Sequence, residues 1–188
     1  MRKIILSQHV SLDGFMAGPN GEMNWIKVDS EMFDLVGSFT DEAYAAIYGR
    51  TTYEMMDSYW PTAADKPNAS KHDRHHSTWY NEAEKIVISK TMKDVVKNNT
   101  TIINDNIADE VAKIKHQPGK NIMVFGSPSV SRLLIANNLV DDYWLFINPV
   151  ILGEGLPLFS NPVHRIHLQL AANHAFGCGV IGLHYTAV

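Results

Sequence analysis

A short apolar run that turns at a glycine directly into a helix start constrains this chain more than any other stretch. It reads Asn121-Ile122-Met123-Val124-Phe125-Gly126-Ser127-Pro128-Ser129-Val130-Ser131-Arg132-Leu133-Leu134. The run to Phe125 has the length and composition of a buried strand. Gly126 frees the backbone to turn sharply. Ser127 suits an N-cap and Pro128 the first helical position. Val130, Leu133 and Leu134 then recur at helical spacing. A helix N-terminus at the end of a buried strand offers free N–H groups and the positive end of the helix dipole, which together favour an anion. The same joint also serves as a purely structural βα turn, and one such turn leaves both readings open.

A second turn has this form, and a third strand end adds polar residues. Ala45-Ala46-Ile47-Tyr48 is followed by Gly49-Arg50-Thr51-Thr52-Tyr53-Glu54. Thr51 and Glu54 have the spacing of a capping box. Arg50 is a fixed cation suited to bidentate phosphate contact. Lys85-Ile86-Val87-Ile88 leads to Ser89, Lys90 and Thr91. Three strand ends, two helix N-termini and two cations suit a ligand with several phosphates. Three ordinary turns with surface cations would read the same way.

The 188 residues fit one domain, spanning 1–188. An apolar share of 45% is ample for a core. The formal charge of -4, with dispersed Lys and Arg, argues against nucleic acid as a partner. No apolar stretch approaches the ~20 residues needed to cross a bilayer, so no membrane role is expected. Met1 to Val10 is too short and too polar after Leu6 for a signal peptide. The single cysteine, Cys178, excludes an intrachain disulfide framework. Together these features predict a cytoplasmic protein.

Strands are expected over Arg2–Val10, to Tyr48, over Lys85–Ser89, Thr100–Ile103, to Phe125 and over Asp142–Val150. Helices are expected from Asp29, from the Gly49 turn to about Ser58, across Ser70–Glu82, from Asn106 and from the Gly126 turn. Ser11 to Trp25 is a long glycine-rich loop, of the kind that is functional or mobile. Arg165–Ala175 and Cys178–Thr186 read as a closing hairpin around Phe176-Gly177. Strands alternating with helices and ending in antiparallel strands predict an α/β fold, with a mixed, mostly parallel central sheet and helices on both faces.

Several signals are set aside. Gly177-Cys178-Gly179-Val180-Ile181-Gly182 spells the dinucleotide fingerprint, but only a β-rich tail follows it and no helix. His72, His75 and His76 could share a helical face, yet no further motif completes a metal site and none is expected. Cys178 reads as an inert thiol in a strand.

Four stretches, in this order and spacing, carry a family resemblance: Ser11-Leu12-Asp13-Gly14-Phe15; Tyr48-Gly49-Arg50-Thr51-Thr52-Tyr53-Glu54; Val124-Phe125-Gly126-Ser127; and Asn148-Pro149-Val150-Ile151-Leu152-Gly153-Glu154-Gly155-Leu156-Pro157-Leu158-Phe159. Over nearly its whole length the chain resembles the dihydrofolate reductase-like superfamily. It is closest there to the C-terminal reductase domain of the bacterial riboflavin-biosynthesis bifunctional deaminase-reductase. The resemblance implies a three-layer αβα sandwich and NADPH as hydride donor. It implies cofactor contacts from Gly49, Arg50, Thr51 and Thr52, from Ser89, Lys90 and Thr91 near the 2′-phosphate, and from Gly126, Ser127, Ser129 and Val130 at the pyrophosphate. Ser127-Pro128 stands where the family commonly has glycines, and proline removes one N–H donor. On the substrate side the resemblance implies Asp13, as a catalytic or orienting acid, with Trp25 and Gly153.

The implied reaction is reduction of a ribosylaminopyrimidine riboflavin precursor, a small heterocyclic substrate. A pterin such as dihydrofolate is the alternative; its acidic recognition residue would fall near Ser30, between Asp29 and Glu31. A non-catalytic NADPH-binding module is the third reading. The resemblance also implies a homodimer.

Overall fold

The structure is a computed structural model that describes residues 1–92, 99–160 and 165–188. Its centre is an eight-stranded sheet. In chain order the strands and helices are β1 (Ile4–Ser11), β2 (Phe15–Ala17), α1 (Ser30–Asp41), β3 (Ala43–Gly49), α2 (Arg50–Tyr59), α3 (Lys71–Glu82), β4 (Glu84–Ile88), β5 (Thr100–Ile103), α4 (Ile107–His116), β6 (Asn121–Val124), α5 (Pro128–Ala136), β7 (Asp142–Asn148), β8 (Leu156–Pro157), β9 (Leu168–Ala175) and β10 (Ile181–Ala187). A 3₁₀ turn, Trp60–Asp65, joins α2 toward α3. The sheet order is β5-β4-β3-β6-β1-β7-β10-β9, and β2 pairs separately with β8. The first six strands run parallel; β10 is antiparallel to both its neighbours. The mixed, mostly parallel sheet with antiparallel C-terminal strands is therefore present.

The central strands carry apolar side chains on both faces because helices cover both. On one face Ile4, Leu6, Ile47, Ile86, Ile122 and Val124 pack with Val111 of α4 and Val130 and Leu134 of α5. On the other, Ile5, Ala46, Tyr48, Val87 and Met123 pack with Tyr53 of α2 and Trp79 and Tyr80 of α3. Met32 of α1 continues that face over Phe146 and Phe176. Each fully buried large side chain contributes about 1.5–3 kcal/mol. Buried lysines belong to the frame: Lys115 pairs with Asp141 at 2.5 Å and donates to the Leu139 carbonyl at 2.8 Å, and Lys85 donates to the Tyr80 carbonyl at 2.8 Å.

Ser11–Trp25 is less uniform than a single loose loop. Its Phe15–Ala17 segment is a strand on β8, with Met16 and Ala17 buried. The hairpin turn at Phe176 places Cys178 before β10 begins, so this cysteine lies in a turn and its N–H donates to Asp29.

Candidate active site

The three strand ends singled out in the sequence meet on one edge, because β4, β3 and β6 are parallel neighbours. The turns after β3 and β6 touch directly: the Gly49 N–H donates to the Gly126 carbonyl at 3.2 Å. A Cβ on Gly49 would lie 2.3 Å from Ser127 Oγ, so the close approach requires glycine. Gly126 has φ 118°, a conformation that side chains disfavour.

Two helix N-termini open at this joint, and neither is capped by a side chain. The contrast with α1 and α3 is direct: Asp29 and Ser70 cap those through their own oxygens. The expected Thr51–Glu54 capping box is absent, because α2 starts two residues earlier and Gly49 holds the N-cap position. Glu54 instead lies 4.0 Å from Arg50. Ser127 holds the N-cap position of α5, yet its hydroxyl bonds Ser129 Oγ at 2.9 Å. The first-turn N–H groups of both helices are thus left for an outside anion.

These turns border a cleft of about 550 Å³. Thr51, Thr52, Gly126, Ser127 and Ser129 line it. Gly49 sits behind them in the joint, and Val130 is buried in the core. Arg50 is exposed at the start of α2. Ser89 is buried at the end of β4, and its hydroxyl accepts from the N–H groups of Thr91 and Met92 at 3.3 and 3.0 Å. Lys90 and Thr91 are exposed beyond it, outside the cleft lining.

Asp13, Trp25 and Gly153 also fall outside that lining. The Asp13 carboxylate accepts from Ser11 Oγ at 2.6 Å and from the N–H groups of Leu152 and Gly153 at 3.2 and 2.8 Å. These donors hold its pKa down to about 2. Asp13 therefore ties the turn after β1 to the loop before β8. Trp25 folds the 18–25 segment on itself by donating to the Glu22 carbonyl at 3.0 Å. Gly21 and Met23 of that segment do reach the cleft.

The opposite wall is apolar. α1 presents Met32, Phe33 and Val36. Its acids are all engaged elsewhere: Asp29 caps the helix, Glu31 meets His174 at 2.8 Å, Asp34 meets Lys71 at 2.6 Å and Asp41 meets His75 at 2.7 Å. No Asp, Glu or Lys among the described residues lines the cleft.

Three histidines in the lining were missed as site residues. His72 stacks on Phe33 with ring centroids 4.0 Å apart. His76 is 4% exposed, and burial pushes its pKa down to about 3. Among the described residues, neither ring nitrogen of His76 has a hydrogen-bond partner. The helical spacing of His72, His76, Trp79 and Tyr80 was the available signal, since the last three share a buried face. His9 on β1 stacks on Phe146 at 5.1 Å, and burial lowers its pKa to about 4.

This geometry belongs to a family already suggested by the sequence. Residues 2–182 match the family described as the RibD C-terminal domain. The chain belongs to that family. It is a reductase-like domain of the riboflavin-pathway type. The Bacillus subtilis (strain 168) protein YyaP, described as uncharacterized, is 36% identical over 98% of this chain and 94% of its own length. A Thermotoga maritima diaminohydroxyphosphoribosylaminopyrimidine deaminase/5-amino-6-(5-phosphoribosylamino)uracil reductase superposes with a TM-score of 0.69 at 13% identity, covering 100% of this chain and 57% of that one. A dihydrofolate reductase from Enterococcus faecalis, complexed with NADP(H), superposes with a TM-score of 0.64 at 12% identity, over 98% of this chain and 96% of that one. The fold is the dihydrofolate reductase-like one.

Proposed function

We propose that this RibD-type domain is an NADPH-dependent reductase of a small heterocycle, a ribosylaminopyrimidine riboflavin precursor being the preferred class. The observation that carries the proposal is the pair of uncapped helix N-termini, joined through Gly49 and Gly126 and facing the apolar wall of α1 across the cleft. One end of that cleft suits phosphate and the other a planar ring. Thr51, Thr52, Gly126, Ser127 and Ser129 would hold the pyrophosphate part of the cofactor; Arg50, Ser89, Lys90 and Thr91 would meet its outer phosphate at the ends of β3 and β4. Bound NADPH would supply a hydride, and the protein would supply position and exclusion of water.

Asp13 enters this proposal as a positioning residue. Its carboxylate holds the N–H groups of Leu152 and Gly153, and so the loop that leads into β8 and the strand β2 beneath it. Trp25 and Gly153 shape the same rim. The pterin alternative is less well supported, because α1 turns Met32, Phe33 and Val36 to the cleft and pairs Asp29 and Glu31 away from it. We place the protein in the cytoplasm as a single-domain homodimer; exposed Leu168, Leu170 and Ile181 on β9 and β10 offer an apolar face for self-association, checked by light scattering.

The test is a substrate panel followed at the nicotinamide absorbance band. Oxidation of NADPH with a ribosylaminopyrimidine and none with dihydrofolate is expected. Turnover of dihydrofolate alone would favour the pterin reading. Cofactor binding without turnover of any heterocycle would favour the non-catalytic module.

A further inference from the structure

The deepest chemical constraint in the cleft lies on β1. His9 Nδ1 is 3.2 Å from the side-chain amide nitrogen of Asn148, which is fully buried. The orientation of that amide is settled by its other contacts. Asn148 Oδ1 faces the backbone N–H of Lys27 at 2.8 Å, and a backbone N–H can only donate. Asn148 Nδ2 also lies 3.0 Å from the Phe146 carbonyl, which can only accept. The nitrogen end therefore points at His9, and His9 Nδ1 must accept. A neutral imidazole has one N–H, so the proton sits on Nε2. Burial keeps the ring neutral, and the stack on Phe146 fixes its plane. His9 lines the cleft, and among the described residues Nε2 has no hydrogen-bond partner.

The remaining lining sharpens this. Among the described residues the only charged side chain in the cleft is Arg132, which donates to the Pro157 carbonyl at 2.6 Å. A substrate bound near His9 thus meets a neutral donor and apolar walls. We propose that His9 is a catalytic hydrogen-bond donor, its Nε2–H set by Asn148 to grip the carbonyl or imine acceptor of an uncharged heterocyclic substrate at the position reduced. This rests on the reductase reading for its chemistry. The carbon of the C=N or C=O bond takes hydride from reduced nicotinamide, which becomes oxidised. The π electrons move onto the heteroatom, where His9 Nε2–H stabilises the developing negative charge. A proton from water then completes the amine or alcohol, and His9 keeps its own proton throughout.

The probe for binding is lumazine, a bicyclic dione, titrated into the NADPH-loaded protein near neutral pH. Nitrogen NMR of histidine-labelled wild-type protein reads the tautomer and the Nε2 signal. The expected result is an Nε2–H tautomer whose Nε2 resonance shifts on adding lumazine. By calorimetry His9→Phe should weaken lumazine about tenfold, as for one lost hydrogen bond, with NADPH affinity unchanged. His9→Gln keeps a donor near the Nε2 position and should restore most of that affinity. Asn148→Asp should reverse the tautomer, because a carboxylate demands the Nδ1 proton. It also sets an oxygen against the Phe146 carbonyl, so the wild-type spectrum and the Gln/Phe pair decide the matter if that variant does not fold. An Nδ1–H tautomer, an unmoved Nε2 signal or equal lumazine affinity in His9→Phe would overturn the proposal. Failure of every heterocycle to oxidise NADPH, with lumazine still held by His9, would refute the reductase reading and uphold the donor.

Discussion

Gly49→Ala probes the joint on which the cofactor proposal stands. The added Cβ would meet Ser127 Oγ at 2.3 Å, Ser127 Cβ at 3.0 Å and Val130 Cγ2 at 3.3 Å. Rotating the Ser127 hydroxyl away relieves only the first contact, since Ser127 Cβ is carried by the backbone. The α5 turn must therefore shift away from the α2 turn, at the cost of the 3.2 Å bond from Gly49 to Gly126. Overpacking of this kind costs about 1–3 kcal/mol. Val130 is part of the core, so some of that cost falls on stability. The rest falls on the spacing of the two helix N-termini, and with it on cofactor binding. NADPH affinity should drop roughly five- to a hundredfold by calorimetry, with a lowered Tm. Adding Ser127→Gly removes both serine contacts and leaves only Val130 at 3.3 Å, so the double variant should recover much of the Tm. Unchanged NADPH affinity and Tm in Gly49→Ala would show that the two turns are not a coupled phosphate cradle.

Other outcomes follow from the same structure. Asp13→Asn retains one acceptor but turns an amide N–H₂ toward a backbone donor, so the 151–155 loop should gain hydrogen exchange while NADPH affinity holds; unchanged exchange there would remove Asp13 as a tie. Lys115→Met leaves Asp141 without its partner beside the start of β1 and should cost about 3–5 kcal/mol in denaturant unfolding. His76 has a folded pKa of about 3 against 6.5 when unfolded, so the unfolded chain binds the extra proton. Stability is then complete above about pH 6.5 and lost on acidification toward pH 3, by about 2 kcal/mol at pH 5; His76→Phe should flatten this slope in urea titrations. The 18–25 segment should gain exchange protection on NADPH binding, whereas Phe15–Ala17, held on β8, should already be protected without it.

Much of the fold was legible because its signals are local. Gly126-Ser127-Pro128 announces a strand-to-helix turn from backbone preference alone, and the alternation of apolar runs with helical faces implies a covered parallel sheet. The sheet order β4-β3-β6, with all three strands parallel, then brings those strand ends together. The substrate side was less legible because its signals are tertiary. Asp13-Gly14 reads as an acid on a turn, but its partners Leu152 and Gly153 lie some 140 residues away in sequence, at separations of 139 and 140. His9 sits in an ordinary strand, and its tautomer depends on Asn148 and Lys27 from other elements. His76 is enclosed by Trp60, Trp79 and Phe125, two of them from other elements, so its burial is a tertiary signal. The absence of a Thr51–Glu54 box reflects a helix that begins two residues earlier than its capping letters suggest.

The central claim is that the joined turns at Gly49 and Gly126, with the cations at the neighbouring strand ends, bind NADPH. Calorimetric titration of the wild-type protein with NADPH and NADH at matched salt tests it most directly. A lost charge-assisted phosphate contact costs about 1.5–3 kcal/mol, so NADPH should bind roughly ten- to a hundredfold more tightly, and Lys90→Ala should narrow that gap. Equal affinity for the two cofactors would contradict the placement of the outer phosphate, and no heat with either would contradict the claim as a whole.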